Sequence, residues 1–548
     1  MPCFRVALAL TLLAALSMHA ADSPVVRAPA GSVRGTAEGN LHVFRGLPYA
    51  APPAGSMRWK PPVSAAVWQG VRDATKFGPA CFQPKPRAAS IYADPPPAMS
   101  EDCLYLNIWT PAAARDTPVM VWIHGGSLTG GASSETMYDG AALAKQGLVF
   151  VSINYRLGAL GYLALPELSA ESPDHVSGNY GLLDQIEALR WVKRNIAAFG
   201  GDPNHVTIAG ESAGGLSILY LLASPVAHGL FDKAILESSY MVSTPELHEK
   251  RFGEESAESI GTQLEAKLKT HNLAALRAMD AGAITEQAPL TGYLPFGTID
   301  GHVLTRQLVD VFDRREQAHV PVLVGFNSGE IRSLRFLAPP VPATEAAYTA
   351  AIRQRYGDLA DEYLRLYPAS NLKESILQEP RDALYGWTAE RVAVKQTAAG
   401  EPAFLYLFDH GFPAADTAGL HAFHASELPY IFGTAGSTPP DWPKMEMTPA
   451  ESRFAEAIRD YWVSFIKTRT PSAAGEPRWQ PFGASKAFMH FADLPQPAND
   501  PTPGMYEFQE DVVCRRRAEG KTPWNWNVGI VAPPLPPVAG CPSPGGRQ

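Results

Sequence analysis

The feature that most constrains the fold of this chain is a series of short apolar segments that are continuous rather than alternating. Continuous apolar runs of this length are typical of strands covered on both faces, as in a parallel sheet. The runs are Pro118–His124, Leu148–Asn154, Val206–Ala209, Lys233–Leu236, Val320–Val324 and Phe404–Phe408. Between them, Tyr180–Phe199 has apolar residues at helical spacing, and further helices are expected at 254–268, 381–398 and 451–467. This alternation predicts an α/β protein with a mainly parallel central sheet and helices on both faces.

The chain is long, but its sequence shows no internal boundary. It has 548 residues, of which 46% are hydrophobic, and this is enough apolar material for a large core. No repeat period or long polar linker divides it, so we expect one large domain with insertions over residues 22–532. Proline-rich stretches lie at 84–97 and 533–544. We expect the first to be a surface loop and residues 533–548 to form a mobile tail, unless Cys541 ties it down.

Residues 1–21 have the pattern of an export signal. Arg5 supplies a positive start, Val6–Leu16 is almost continuously apolar, and Ser17–Ala21 offers small residues for cleavage. The apolar run is too short to cross a bilayer comfortably, which favours cleavage over a retained membrane anchor. We therefore expect a secreted or periplasmic protein that is soluble once the signal is removed.

Charge and motif content exclude several classes of partner. The net charge is -9 and no long basic run is present, whereas nucleic-acid binding requires clustered Lys and Arg. The cysteine spacing suits no zinc motif, and His-Glu-x-x-His is absent from the sequence. We therefore expect no nucleic acid, no metal and no cofactor.

Removal of the signal leaves four cysteines, Cys81, Cys103, Cys514 and Cys541. An even number in an exported chain favours disulfides, because the compartment is oxidising. Four cysteines allow three pairings. We favour the local pairing, Cys81 with Cys103 and Cys514 with Cys541, over four free thiols.

A predicted strand, a tight turn and a predicted helix follow one another at Ser212. The apolar run Val206–Ala209 leads into Gly210-Glu211-Ser212-Ala213-Gly214, and a helical pattern begins near Ala213. This is G-x-S-x-G in the strand–turn–helix context that a nucleophile elbow requires. Side chains at positions 210 and 214 would collide with neighbouring elements, and the strained turn lifts the serine hydroxyl clear of the sheet. We therefore interpret Ser212 as a nucleophile rather than as part of an ordinary Gly/Ser-rich turn.

A second glycine-rich turn, His124-Gly125-Gly126-Ser127, follows the predicted strand Pro118–His124. In this architecture such a turn supplies backbone N–H groups to an oxyanion hole. The helix that begins near Ala213 directs another N–H group, and the positive end of its dipole, toward developing negative charge. We predict an oxyanion hole formed by the N–H groups of Gly126, Ser127 and Ala213, the alternative being a tight turn without a chemical role.

Four further motifs are spread over most of the chain that follows the predicted signal. They are Phe44-Arg45-Gly46-Leu47-Pro48-Tyr49-Ala50 with Pro52-Pro53, Ser100-Glu101-Asp102-Cys103-Leu104-Tyr105-Leu106-Asn107, Asn154-Tyr155-Arg156-Leu157-Gly158, and Asn195-Ile196-Ala197-Ala198-Phe199-Gly200-Gly201-Asp202-Pro203. With the serine motif, they resemble the type-B carboxylesterase family, which includes the cholinesterases. The resemblance implies the α/β-hydrolase fold and a triad in the chain order Ser, Glu, His. It also supports the Cys81–Cys103 bridge.

The resemblance assigns the acid to Glu330, in the segment 324–330, and the base to His424, in the segment 424–430. Both residues follow a predicted strand, where α/β sheets build sites, and a carboxylate can fix the tautomer of a histidine that accepts the serine proton. From spacing alone, His410 and His421 compete as base and Asp300 competes as acid. For those three residues we expect capping or surface roles.

Glu211, beside the predicted nucleophile, has two interpretations that the sequence leaves open. It either supports the cationic form of the histidine or belongs to a structural hydrogen-bond network.

The sequence also departs from the family pattern. Relatives usually have a third glycine at the position of Ser127, an aromatic residue at Leu128 and a glycine at Ile331. The loop between Cys81 and Cys103 lacks the Trp that holds choline in cholinesterases, which makes choline esters a poor prediction, although Tyr92 could substitute weakly.

These observations predict a carboxylic ester hydrolase that acts on a small-molecule ester through an acyl-enzyme. One alternative is a specialised hydrolase of a bulky polyester, an amide or a toxin ester, which an unusual acyl pocket at Ser127 would suit. Another is a non-catalytic binding protein on the same fold, although the intact set Ser212, Glu330 and His424 argues against it.

Overall fold

A computed structural model describes residues 23–86, 90–525, 527–537 and 541. The predicted export signal, residues 1–21, lies outside the described residues. Within the described part of the chain, no helix combines the length and the apolar character needed to cross a membrane.

The strands form one large mixed sheet and two small ones. In chain order the strands are β1 (Val25–Ala28), β2 (Gly31–Arg34), β3 (Thr36–Glu38), β4 (Leu41–Pro48), β5 (Val71–Asp73), β6 (Ala80–Cys81), β7 (Met99–Ser100), β8 (Tyr105–Pro111), β9 (Thr117–Ile123), β10 (Val149–Ile153), β11 (Gly201–Glu211), β12 (Lys233–Glu237), β13 (Val322–Asn327), β14 (Ala403–Phe408), β15 (Ala487–Phe491) and β16 (Pro495–Asn499). The predicted buried strands correspond to β9 to β14.

The helices alternate with these strands. They are α1 (Ala141–Lys145), α2 (Gly158–Tyr162), α3 (Pro166–Glu171), α4 (Tyr180–Asn195), α5 (Ala213–Ala223), α6 (Ala257–Lys267), α7 (Leu273–Ala278), α8 (Ala281–Gln287), α9 (Leu308–Asp313), α10 (Glu330–Ser333), α11 (Glu345–Tyr356), α12 (Ala360–Leu366), α13 (Leu372–Arg381), α14 (Trp387–Ala398), α15 (Pro413–Thr417), α16 (Leu428–Phe432), α17 (Pro449–Thr468) and α18 (Met505–Glu519). A π-helical turn, Asp382–Gly386, joins α13 to α14.

The large sheet has 11 strands in the order β16-β15-β14-β13-β12-β11-β9-β10-β8-β4-β3. The central part, from β10 to β15, is parallel throughout, and the outer strands β8, β4, β3 and β16 are antiparallel. Parallel pairing brings the carboxyl ends of β9, β11, β13 and β14 to one edge, where the segments with the predicted site residues begin.

Helices cover both faces of the sheet, which explains why the central strands are continuously apolar. One buried cluster joins the sheet to α4, α5, α9 and α14, and a second joins its other face to α1, α16 and α17. Every residue of β10, β12 and β13 is buried. The predicted fold class, a mainly parallel sheet between two helical layers, is confirmed.

Two disulfides close local loops, Cys81–Cys103 and Cys514–Cys541. The second anchors the proline-rich tail, whose described residues pack on the domain rather than extending from it. Leu535 N–H donates to the Arg355 carbonyl over 2.6 Å, and the Arg516 guanidinium donates to the Pro533 carbonyl over 2.9 Å.

Candidate active site

Ser212 lies at the turn between β11 and α5. Its backbone has φ 57° and ψ −120°, a conformation that residues other than glycine rarely adopt. The glycines on either side permit the turn, because a Cβ at Gly210 would lie 2.8 Å from the carbonyl oxygen of Ile123 and one at Gly214 only 2.1 Å from the same atom. The turn therefore has the geometry of a nucleophile elbow, and α5 begins directly after it at Ala213.

The glycine-rich turn that follows β9 lies directly against this elbow. A Cβ at Gly125 would be 2.9 Å from the carbonyl oxygen of Glu211 and 3.2 Å from the Cβ of Ser212, so only a glycine allows the two segments to approach so closely. Gly126 has φ 99°, and a Cβ there would lie 2.3 Å from the Gly130 carbonyl oxygen. Gly126 and Ser127 are exposed. The turn that carries two of the predicted oxyanion donors is thus exposed at Gly126 and Ser127 and lies next to the predicted nucleophile.

His424 and Glu330 form a buried pair although 94 positions separate them in the chain. The His424 Nδ1 atom lies 2.5 Å from Glu330 Oε2, and the two residues are 5% and 0% exposed. The other carboxylate oxygen of Glu330 accepts the Asn327 N–H over 2.8 Å. The carboxylate therefore has a partner on each oxygen and a fixed orientation toward the imidazole.

A short parallel bridge between two loops sets the register of this pair. The Gly329 N–H donates to the Ala422 carbonyl over 2.8 Å, and Gly329 is bridged to Phe423. A Cβ at Gly329 would lie 2.8 Å from the Ala422 carbonyl oxygen, so this position also requires glycine. The Asn327 amide donates to the Phe423 carbonyl over 2.9 Å. These bonds hold the loop after β13 and the loop after β14 together one residue before Glu330 and His424.

Glu211 lies on the opposite side of the imidazole from Glu330. Its Oε1 is 3.0 Å from His424 Nε2, but that oxygen accepts no aligned hydrogen bond from any described residue. Burial by itself would lower the pKa of His424, yet the charges of Glu211 and Glu330 outweigh it and raise the pKa well above 6.5. Glu211 therefore faces the imidazole of His424 from the Nε2 side.

Aromatic rings enclose the same imidazole. Tyr385, in the π-helical turn between α13 and α14, has its ring centroid 5.3 Å from that of His424. Tyr92 meets His424 edge-on at 6.3 Å and Trp442 at 5.6 Å. Although Tyr92 lies in the predicted surface loop, its hydroxyl is within 2.9 Å of the His424 carbonyl oxygen, so this part of the loop reaches inward to the site.

The residues that compete with the triad by spacing have other partners. His410 Nε2 lies 3.1 Å from both carboxylate oxygens of Glu451, and His421 contacts Asp409 and Asp416. Asp300 caps a turn, since its Oδ1 accepts the N–H groups of residues 302, 303 and 304.

Two residues that sequence reasoning missed hold the site together. Asn327 connects the loop after β13, which carries Glu330, to the loop after β14, which carries His424. Gln83 hydrogen-bonds the backbone of Gly131 at the end of the glycine-rich turn. The only sequence signal for either is proximity, Asn327 to the acid motif and Gln83 to Cys81. Among the described residues, no group of three or more His, Cys, Asp or Glu side chains is arranged to hold a metal ion.

Comparisons with known proteins identify the family of this chain. Residues 22–508 match the Carboxylesterase family. The fumonisin B1 esterase of Sphingopyxis macrogoltabida is 37% identical over 489 residues, which cover 86% of this chain and 87% of that protein. The para-nitrobenzyl esterase of Bacillus subtilis (strain 168) is 36% identical over 455 residues, covering 82% and 90% respectively. A solved structure of a PNB esterase superposes with a TM-score of 0.77 at 34% identity, covering 88% of this chain and 99% of that one.

The parallel sheet and its nucleophile elbow define an α/β-hydrolase. More specifically, the chain belongs to the carboxylesterase family, and it is a serine-type carboxylic ester hydrolase that acts on small-molecule esters. The predicted family, fold and activity are therefore confirmed.

Proposed function

We propose that the chain hydrolyses carboxylic esters through an acyl-enzyme on Ser212. His424 removes the proton of the Ser212 hydroxyl, and the oxygen attacks the ester carbonyl. Glu330 accepts a hydrogen bond from Nδ1–H and so fixes the tautomer in which the lone pair that takes this proton is on Nε2. Glu330 and Glu211, whose Oε1 lies 3.0 Å from Nε2, both stabilise the imidazolium that forms. His424 then protonates the leaving alcohol, and water repeats the steps in reverse roles to release the acid.

The negative charge that develops on the carbonyl oxygen needs donors that are already in place. We assign these donors to the N–H groups of Gly126, Ser127 and Ala213. The proximity of Gly125 to Ser212 supports the assignment, as does the start of α5 at Ala213. Loss of one such donor typically lowers the rate ~10²–10³-fold.

The observation that carries this proposal is the buried 2.5 Å contact of His424 with Glu330, at the strand ends beside the elbow of Ser212. Replacement of Ser212 by alanine should lower kcat on p-nitrophenyl esters by about 10⁶-fold with the fold intact. Ser169→Ala, at a buried serine of α3, is the matched control and should leave kcat unchanged. Esterase activity in Ser212→Ala would refute the mechanism. Wild-type protein that neither cleaves any ester of the panel nor reacts with an organophosphate would favour a binding protein.

A bulky toxin ester is a second candidate substrate. One relative at 37% identity carries the name fumonisin B1 esterase, and Ser127 adds a hydroxyl to the glycine-rich turn where the family pattern has a third glycine. Incubation with fumonisin B1 and analysis of the products by mass spectrometry tests this candidate. No product after many turnovers of a simple ester would exclude it.

We also propose that residues 1–21 act as an export signal and that the protein works in the periplasm or outside the cell. The two disulfides support an oxidising compartment. Sequencing the N-terminus of protein recovered from the periplasm and the medium tests the proposal. An uncleaved chain found only in the cytosol would contradict it.

A further inference from the structure

The described residues of the loop closed by Cys81 and Cys103, 82–86 and 90–102, contact two separate parts of the active site. Gln83, near its start, hydrogen-bonds the end of the glycine-rich turn, and Tyr92, further along, hydrogen-bonds the histidine loop. Here one covalently closed segment reaches both the predicted oxyanion turn and the predicted base.

The contact of Gln83 with the turn has two hydrogen bonds. The Gly131 N–H donates to Gln83 Oε1 over 3.0 Å, and Gln83 Nε2 donates to the Gly131 carbonyl over 3.0 Å. Gly131 has φ 101°, and a Cβ there would lie 2.4 Å from His124 Nδ1 and 2.7 Å from the Gly125 carbonyl oxygen. Gln83 therefore fixes a glycine that packs against the residues leading into Gly126.

The same turn is closed internally, which lets this contact reach the donors. The N–H groups of Thr129 and Gly130 both donate to the Gly126 carbonyl over 2.9 Å. The orientation of the peptide after Gly126, which carries the Ser127 N–H, thus depends on where residues 129–131 lie. Gln83 sets that position through Gly131.

The contact of Tyr92 with the histidine is a chain of two hydroxyls. The Tyr92 hydroxyl lies 2.9 Å from the His424 carbonyl oxygen and 2.7 Å from Ser333 Oγ. Because a carbonyl only accepts, Tyr92 donates its one proton to His424 and accepts from Ser333. Ser333 belongs to α10, whose first residue is Glu330. Tyr92 therefore links the backbone of the base to the helix of the acid.

The base of the loop is rigid. Cys81 is in β6, which pairs with β7 at Ser100, and the Asn154 amide donates to the carbonyls of Pro79 and Cys103 over 3.1 Å each. The disulfide holds the two ends with their Cα atoms 5.0 Å apart. Displacement of the loop would therefore alter both the contact of Gln83 with Gly131 and the contact of Tyr92 with His424.

We propose that the Cys81–Cys103 loop is a brace in which Gln83 positions the oxyanion turn and Tyr92 positions His424 relative to Glu330. The proposal rests on the proposed function, since it assumes that these are the oxyanion donors and the base. Both are positioning residues, because their contacts are with Gly131 and with the His424 backbone rather than with the reacting atoms.

Gln83→Leu tests the first part of the proposal, that Gln83 positions the oxyanion turn. It keeps the size of the side chain and removes both hydrogen bonds, so kcat should fall about 10- to 100-fold while KM changes little, as for a small misplacement of catalytic groups. Gln83→Glu retains the acceptor for Gly131 but not the donor. Its kcat relative to wild type should recover as the pH falls, because a protonated carboxyl can donate again. Gln146→Leu, which removes a side-chain bond to Asp460, is the control. A kcat for Gln83→Leu within about twofold of wild type would overturn this part.

Tyr92→Phe tests the second part of the proposal, that Tyr92 positions His424 relative to Glu330. It removes one hydroxyl and keeps the ring against Trp442, so we expect kcat to fall about tenfold and the pH dependence of kcat to change as the imidazole loses its fixed position. Tyr348→Phe removes an equivalent hydroxyl, which donates to the Tyr367 carbonyl over 3.0 Å in a separate cluster, and should leave kcat unchanged. Unchanged kcat and pH profile in Tyr92→Phe would overturn this part.

The disulfides provide the third comparison. Replacing Cys81 and Cys103 by serine should lower kcat by as much as Gln83→Leu and Tyr92→Phe combined, measured well below the melting temperature of each variant. The matched pair Cys514→Ser with Cys541→Ser should leave kcat unchanged. Equal kcat for both pairs would contradict the brace. If the first pair does not fold, Gln83→Leu with Tyr92→Phe tests the same point with the disulfide intact.

Ser212→Ala, measured alongside, separates the two proposals. An inactive Ser212→Ala with fully active Gln83 and Tyr92 variants refutes only the brace. Activity in Ser212→Ala refutes the proposed function, whatever the loop variants do.

Discussion

At Ser127 the backbone carries a cost that a glycine would not. Its φ is 57°, and the next residue, Leu128, has φ 56° with its side chain buried. The left-handed region costs a residue other than glycine roughly 1–2 kcal/mol. The departure from the family pattern noted in the sequence is therefore a real strain, located at a predicted oxyanion donor.

Replacing Ser127 by glycine should relieve that strain. We expect the free energy of unfolding to rise by about 0.5–1 kcal/mol, because the greater freedom of glycine in the unfolded chain offsets part of the gain. We also expect kcat/KM to rise selectively for esters with bulky acyl groups. Chemical denaturation and an ester panel measure the two effects. Lower stability would show that the backbone of Ser127 is not strained. An unchanged acyl preference would show that its hydroxyl does not lie near the acyl group.

Glu211 provides a test at the base itself. With this carboxylate present, the pKa of His424 is held well above 6.5, and only the neutral imidazole can accept a proton. Glu211→Gln removes one of the two charges that raise the pKa. In the pH profile of kcat/KM, the acidic limb should therefore move to lower pH. The value of kcat on the plateau of its own pH profile should fall, because the imidazolium is less stabilised. Glu379→Gln, at a buried glutamate of α13, should leave the limb in place. A limb that does not move would assign Glu211 to a structural network.

At the scale of elements, the sequence allowed the elbow to be predicted but not the histidine loop. The elbow is local: one strand, one turn and one helix contain Ser212 and its glycines. The pair of Glu330 with His424 depends on a bridge between loops that follow β13 and β14, and the spacing along the chain cannot reveal such a bridge. Only the family resemblance separated His424 from His410 and His421. The role of Asn327 could not be predicted for the same reason, since it exists only when the two loops meet.

The loop that carries the histidine has its own support in His421. His421 Nε2 lies 3.2 Å from Asp409 and its Nδ1 lies 2.8 Å from Asp416, and the hydrogen bond with Asp409 raises the pKa of His421 to about 9. A folded-state pKa above the unfolded value of 6.5 adds stability that is complete below about pH 6.5 and is lost as the pH rises through 9.

His421→Gln should therefore lower the melting temperature at pH 6 and have little effect near pH 10. His248→Gln, at a mostly exposed histidine paired with Glu258, should change the melting temperature little at either pH. Calorimetry at both pH values measures the difference. If His421→Gln lowers the melting temperature equally at pH 6 and pH 10, the ion pairs of His421 with Asp409 and Asp416 are not the cause.

At the scale of the whole molecule, long segments between the parallel strands build the surroundings of the site. Residues 238–321 separate β12 from β13, and residues 328–402 separate β13 from β14. These insertions include α10 and the π-helical turn that carries Tyr385, so His424 and Glu330 are buried at what would otherwise be an open sheet edge. The apolar runs predicted the sheet, but helical periodicity alone could not show which insertion folds over the site.

The C-terminal disulfide is a property of the whole molecule rather than of the site. Cys514 in α18 and Cys541 are 27 positions apart, and the described residues of the tail, 533–537, are hydrogen-bonded to α11 and α18. In the chain-entropy model, closing a loop of that length contributes about 3.5 kcal/mol to the free energy of unfolding. For two-state unfolding of a domain of roughly 500 residues, removing it should lower the melting temperature by about 3 °C.

Cys514→Ser with Cys541→Ser should show that decrease with kcat and KM unchanged, because neither the tail nor α18 supplies a predicted triad or oxyanion residue. Leu535→Ala, with the disulfide intact, should give part of the decrease in melting temperature. Leu535 is only 9% exposed and packs in a buried cluster with apolar residues of α11 and α18. Scanning calorimetry and steady-state kinetics on the same preparations separate the two effects. A loss of kcat with an unchanged melting temperature would mean that the tail acts on the site and not on the fold. Because loss of the Cys81–Cys103 pair is expected to lower kcat as well as the melting temperature, comparing the two disulfides distinguishes a bond that only stabilises the fold from one that also positions the catalytic groups.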